Sequence, residues 1–157
     1  RLVVTRTFSK SYGLAGLRVG YGLGSAETIG LLDRVRDSYN VNRLSQAGAL
    51  AALKDQAYLV GVVERVKATR RRFVGLLEAR GWEVYPSSAN FIFGRPVNGR
   101  GEQGKAIAES LFSWFLEQKI LVRYFGGSPL TSDGLRISIG TDSDMDRVIG
   151  VIDTWQK

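Results

Sequence analysis

TRTFSKSYGLAGLRVGYG, residues 5–22, decides how the rest of the chain is read. The run Leu2-Val3-Val4-Thr5 leads into a hydroxyl-rich turn, Thr7-Phe8-Ser9, with Lys10 directly after it. Gly13, Gly16 and Gly20 then space a loop around Arg18. This order describes a strand whose end presents two hydroxyls and an amine, with a guanidinium nearby in sequence. Hydroxyl and guanidinium groups donate hydrogen bonds to phosphate oxygens, and an amine that sheds its proton is a nucleophile. The same residues also suit a basic, glycine-rich surface turn, in which Thr7 and Ser9 make ordinary turn hydrogen bonds and Arg18 is a solvated charge.

Composition narrows the chemistry. A chain of 157 residues suits one domain, or a piece of a larger one, and can bury a core. It has no Cys and no His. Ser-His-Asp and Cys-His nucleophilic sites, the H-E-x-x-H zinc site and cysteine zinc clusters therefore cannot be built from it. A base or nucleophile must be Lys, Tyr, Asp or Glu. The absence of cysteine fits a cytoplasmic protein. No apolar run is long enough to span a bilayer, and no charged-then-apolar leader opens the chain. The net charge of +7 raises a nucleic-acid reading. Its largest basic cluster, Arg70-Arg71-Arg72, lies however on a helix whose apolar face already explains its pattern. An arginine excess also suits phosphates and carboxylates, which the planar guanidinium fork binds bidentately.

Hydrophobic periodicity lays out the remainder. Residues 2–8 and 19–23 read as strands flanking the glycine loop. The run Gly20-Tyr21-Gly22-Leu23-Gly24 is not a dinucleotide fingerprint, because the third glycine counted from Gly22 would fall at Glu27. Ser25 caps a helix to about residue 38 with Ile29, Leu32 and Val35 inward. A second, alanine-rich helix begins at Ser45 and runs to about Lys54. Residues 55–80 read as one long helix, with Leu59, Val62, Val63, Val66, Phe73 and Leu77 on one face and Gly81 as its stop. Short strands follow at 82–85, 90–94, 120–123 and 135–139. Between them lies a helix at 105–118 with Ile107, Leu111, Trp114 and Phe115 inward, and Thr141 caps a last helix. Strands and helices in this order give a small α+β domain.

Four stretches together resemble one family: S-K followed by G-x-R-x-G in residues 9–20, DSYNVNRLSQAGALAAL (37–53), SSANFIFGR (87–95), and ILVRYF with GLRISIGT (120–141). The chain resembles the fold-type I aminotransferases, which use pyridoxal 5'-phosphate (PLP), and most closely the histidinol-phosphate aminotransferase family. The resemblance implies an α/β architecture. Residues 1–54 are the C-terminal part of the PLP-binding large domain, 55–80 a connecting helix, and 81–157 a small C-terminal α+β domain. It also implies a fragment, since the chain opens at Arg1 inside a strand and family members are roughly twice as long.

Site roles follow from the same resemblance. Lys10 matches the lysine that binds PLP covalently and then moves the substrate proton. Thr7, Ser9 and Arg18 match the cofactor's phosphate-binding positions. Arg136 matches the arginine that grips the substrate α-carboxylate, and Arg123 a position used for substrate phosphate. An apolar strand carrying Arg136 places it either on a solvated face or toward an anion, and Arg123 reads equally as a strand-end charge in water. Asn90 and Tyr124 are weaker candidates for lining the site. The implied reaction is transamination between histidinol phosphate and 2-oxoglutarate in histidine biosynthesis, by a homodimer. The aspartate, asparagine and tyrosine that the family places against the PLP ring precede the lysine, so this chain alone is expected not to transaminate efficiently. Neighbouring readings are an aromatic aminotransferase, a phospho-amino-acid decarboxylase, and a non-catalytic anion- or nucleic-acid-binding fragment.

Overall fold

Capping signals set most of the element boundaries in the computed structural model, which describes residues 2–157. Strand β1 (Val3–Thr7) pairs antiparallel with β2 (Gly20–Gly24), and a single 3-10 turn, Ala15–Leu17, lies between them. Ser25 caps α1 (Ala26–Val35), its hydroxyl accepting from the Thr28 amide. The next cap is Asn42, not Ser45. The Asn42 carboxamide oxygen accepts from the Ser45 amide at 2.8 Å, so α2 (Arg43–Lys54) begins earlier than alanine content suggests. Helix α3 (Gln56–Glu78) stops in a Schellman motif. The Trp82 amide reaches Leu77 O at 3.1 Å and the Gly81 amide reaches Glu78 O at 2.9 Å, with Gly81 at φ +81°.

Beyond α3 come β3 (Glu83–Val84), β4 (Phe91–Arg95), α4 (Lys105–Glu117), β5 (Arg123–Tyr124), β6 (Leu135–Ser138) and α5 (Asp142–Trp155). The four strands form one antiparallel sheet in the order β3-β4-β6-β5. Strand β5 forms later than the apolar run 120–122 suggests. Those residues leave α4 through a second Schellman turn, with Ile120 N to Phe115 O at 2.8 Å, and Lys119 takes the left-handed position at φ +58°. A capping box opens α5: the Thr141 hydroxyl receives the Asp144 amide, and the Asp144 carboxylate returns to the Thr141 amide. The Thr141 hydroxyl also donates to the Asp144 carboxylate at 2.7 Å, and that bond, with the one from the Thr141 amide, holds the carboxyl below the usual carboxylate range.

The chain divides into two compact units, residues 1–63 and 64–157, with the division inside α3. The core of the second unit is a single cluster. Phe73 and Leu77 from α3, Leu111 and Phe115 from α4, and Met145, Val148 and Ile152 from α5 pack on Ile92, Leu135 and Ile137 of the sheet. Polar ties bind α5 to α3 and to the turn that follows α3 around that cluster. Arg80 pairs with Asp153 at 2.5 Å, Arg72 with Asp146 at 2.6 Å, and the Thr69 hydroxyl with Asp142 at 2.9 Å. In the first unit only Phe8, Ser45 and Ala49 are buried among the described residues. Leu32 and Val35, expected inward on α1, stay exposed.

Candidate functional site

The loop that carries the lysine is closed on one aromatic residue. Phe8 directly follows β1; its amide donates to Val19 O at 3.1 Å and its carbonyl accepts from the Leu14 amide at 3.0 Å. Both ends of residues 9–18 are thereby pinned to a single position. The Phe8 ring is buried and packs on Tyr12 and Tyr21 at centroid distances of 4.7 and 5.8 Å. Ser9 and Lys10 sit in the bend immediately after this anchor.

Glycines allow the tight path. Gly13 takes φ +69°, and a Cβ at Gly20 would stand 2.7 Å from Arg6 O in the facing strand. On α2 a Cβ at Gly48 would meet Leu17 Cδ1 at 2.7 Å, so that glycine lets the helix seat the 3-10 turn preceding Arg18. Arg18 adopts a left-handed conformation, φ +54° and ψ +45°, and its Nη1 donates to Ala15 O at 2.8 Å. A non-glycine residue there carries strain on the order of 1–2 kcal/mol.

The donor set at this loop is open. Thr7 Oγ1 accepts from the Ser9 amide at 3.1 Å, which leaves its own proton available. The Lys10 amine and the Ser9 hydroxyl have no hydrogen-bond partner among the described residues, and Arg18 uses one N–H on its own loop. Thr7, Lys10 and Arg18 are exposed and Ser9 is half-buried. Two hydroxyls, an amine and most of a guanidinium remain free to bind an anion. No group of three or more metal-ligating side chains exists among the described residues.

The arginines of the second unit make a separate cluster on the sheet. Register pairs Arg123 with Arg136 across β5 and β6, and Phe93 with Arg136 across β4 and β6. Directly paired residues share a face, so Arg123, Arg136, Phe91 and Phe93 lie together, opposite the face where Ile92, Leu135 and Ile137 enter the core. Arg136 is half-buried, with its guanidinium carbon over the Phe91 ring at 5.1 Å and the Phe125 ring at 5.7 Å. It has no hydrogen-bond or ion-pair partner among the described residues. Arg123 is exposed and likewise unpartnered.

Tyr124 belongs to the other face. It pairs with Leu135, stacks near Phe112 at 5.5 Å, and donates to Glu109 at 3.1 Å. Burial, then that bond, pushes its phenol above the ordinary tyrosine range. Asn90 is exposed at the start of β4, its carbonyl taken by the Ile139 amide. Sequence reading passed over Phe8, Phe91 and Phe125. Only Phe8 had a usable signal, a lone aromatic at the junction of strand and glycine loop.

Comparison with known proteins shows the family to which the chain belongs. Residues 1–152 match the profile of the class I and II aminotransferases. The histidinol-phosphate aminotransferase of Geotalea daltonii is 47% identical over 148 residues, covering 94% of this chain and 40% of that protein. Histidinol-phosphate aminotransferase 2 of Thiobacillus denitrificans is 45% identical over 155 residues, covering 97% of this chain and 42% of that protein. The crystal structure of histidinol-phosphate aminotransferase from Sinorhizobium meliloti in complex with pyridoxal-5'-phosphate superposes with a TM-score of 0.83 at 30% identity, over 97% of this chain and 41% of that one. The chain thus spans about two-fifths of the length of the curated relatives it matches. With the profile running from the strand before Lys10 into α5, the chain belongs to the class I and II aminotransferase family.

Proposed function

We propose that the protein to which this chain belongs is a PLP-dependent aminotransferase that exchanges the amino group between histidinol phosphate and 2-oxoglutarate. The observation that carries the reading is the loop closed on Phe8, which carries the Lys10 amine, two hydroxyls and Arg18 with donors left over for an anion. That donor set fits the cofactor: Thr7, Ser9 and Arg18 would hold its phosphate and Lys10 its aldehyde carbon. When bound, the cofactor supplies an electron sink for charge developing on the substrate's α-carbon.

This chain's residues account for the rest of the chemistry. Once free, the Lys10 amine serves as the base that takes the proton from the α-carbon, which explains acid–base work in a chain without histidine. Arg136, half-buried with no carboxylate of its own, binds the α-carboxylate of the glutamate and 2-oxoglutarate pair. Arg123, its register partner, adds the cation that a phosphorylated amino compound requires. Two like charges directly opposite across a ladder destabilise the bare sheet, and an anion between them removes that cost.

Residues 1–54 belong to the cofactor-binding domain, 55–80 to a connecting helix and 81–157 to a small domain. The enzyme acts as a cytoplasmic homodimer, and this chain alone is inactive. The test is steady-state kinetics on the longest form of the protein containing this chain. Arg123→Ala is expected to raise KM for histidinol phosphate about tenfold or more while leaving KM for 2-oxoglutarate within about twofold, the loss of one charge-assisted bond. Equal effects on both substrates would remove the phosphate role. No glutamate formed from histidinol phosphate and 2-oxoglutarate would remove the substrate assignment.

A further inference from the structure

We propose that Phe91 and Phe125 are positioning residues for Arg136: their rings hold its guanidinium with the N–H edge left free for a carboxylate. The inference deepens the function proposed above and rests on Arg136 as the carboxylate-binding group.

The sheet contains its own comparison. Arg95, on β4, also lies over an aromatic ring, Tyr85 at 5.3 Å. Its guanidinium, however, is hydrogen-bonded to Glu83 at 2.9 Å and ion-paired with Asp133 at 2.8 Å. Arg95 is thereby a structural arginine that ties β3 to the segment entering β6. Arg136, one strand away and also half-buried, has two rings and no acceptor among the described residues. A half-buried guanidinium loses part of its hydration and normally recovers it from a carboxylate or carbonyl. Here the rings stand where such a partner would be. Ring faces attract the cation without consuming its N–H donors. They also limit the rotamers of a long side chain, which lowers the ordering cost when a ligand binds.

Two different segments supply the rings. Phe91 is fixed by the β4–β6 ladder, where it pairs with Ser138, two residues beyond Arg136. Phe125 directly follows β5, in a segment closed by Ser128 N to Phe125 O at 3.1 Å and the Thr131 hydroxyl to the same carbonyl at 3.4 Å. At 38% exposure, Phe125 contributes little to the core, so its presence over Arg136 is not explained by burial.

The experiment measures binding of glutarate, an unreactive dicarboxylate, by calorimetry to the cofactor-loaded protein in its longest form. Phe91→Leu and Phe125→Leu keep apolar bulk and lose the ring face; each is expected to weaken glutarate about 3- to 30-fold. Phe125→Tyr, which restores a ring, should return to within about twofold of the parent. In an Arg136→Lys background, which keeps a charge but not the planar fork, Phe125→Leu should add less than about twofold. Equal weakening by Phe125→Leu with Arg or Lys at 136 would overturn the proposal, because the ring would then act on the fold and not on the guanidinium. Parent-like affinity in both Leu variants would overturn it while leaving Arg136 as the carboxylate group, provided Arg136→Met abolishes binding. Unchanged glutarate affinity in Arg136→Met would overturn both readings.

Discussion

Replacing Gly134 with alanine tests how tightly the Arg136 strand is packed. Gly134 is buried just before β6, and an added Cβ would overlap Phe93 Cζ, approach Phe93 Cε1 to 2.8 Å and Gly94 O to 3.0 Å. The Phe93 ring cannot swing away freely, since it packs on Tyr85 at 5.6 Å and is the register partner of Arg136. Gly94 O belongs to the ladder itself, opposite Leu135. Overpacking of this kind costs about 1–3 kcal/mol. Restricting the unfolded chain returns about 0.4–1 kcal/mol, so taking the middle of each range the net loss is about 1.3 kcal/mol. Gly75 is the control: it sits exposed in α3 with nothing within 4 Å of an added Cβ. There alanine should gain about 0.5–1 kcal/mol from helix propensity. Trp82, Trp114 and Trp155 all lie in the second unit, so urea unfolding followed by their fluorescence reports on the unit being perturbed. The midpoint should fall for Gly134→Ala and rise for Gly75→Ala with unchanged slope. A neutral or stabilising Gly134→Ala would refute the packing argument.

Two further substitutions follow from backbone and charge. Lys119→Gly removes a left-handed strain of about 1–2 kcal/mol at the end of α4 against an entropic cost of about 0.5–1 kcal/mol, so the urea midpoint should rise slightly; a fall would show that the lysine side chain contributes more than its backbone costs. For the Arg80–Asp153 pair, the hydrogen bonds from Arg80 hold the Asp153 carboxyl below its usual range. A depressed acid stabilises the fold above its unfolded pKa, and that stability disappears as pH falls through the folded value. The Arg80 guanidinium is raised, so its share is lost only in strong alkali. Asp153 is 45% exposed, which limits the pair to about 1 kcal/mol or less. Asp153→Asn should therefore lower stability at neutral pH, with the difference closing below about pH 4; a gap that persists in acid would assign the effect to packing.

Much of this was legible in residue order because the signals were local. Ser25 and Thr141 announced their helices, Gly81 its stop, and the alternation in 135–139 placed Arg136 on the face away from the core. Lys10 and Arg18 stood out through spacing and resemblance. What stayed hidden depends on contacts distant in sequence. Nothing near Phe125 says that its ring will cover Arg136, and nothing in the apolar run 120–122 says that it will serve as the exit of α4. The exposure of Leu32 and Val35 shows the converse: a periodic apolar face names an inward side, but not whether residues within the chain cover it. The Arg123–Arg136 pairing lay between these cases. Both arginines were visible in sequence, and only the ladder register set them opposite each other.

Lys10 is the residue proposed to hold the cofactor. The direct measurement is to load the longest form of the protein with PLP, record the visible spectrum, reduce with borohydride and map the modified peptide. A visible band that collapses on reduction, with pyridoxyl label on Lys10 and on none of the five other lysines, is the predicted result. Label absent from Lys10, or spread over the surface lysines without a defined band, would contradict it.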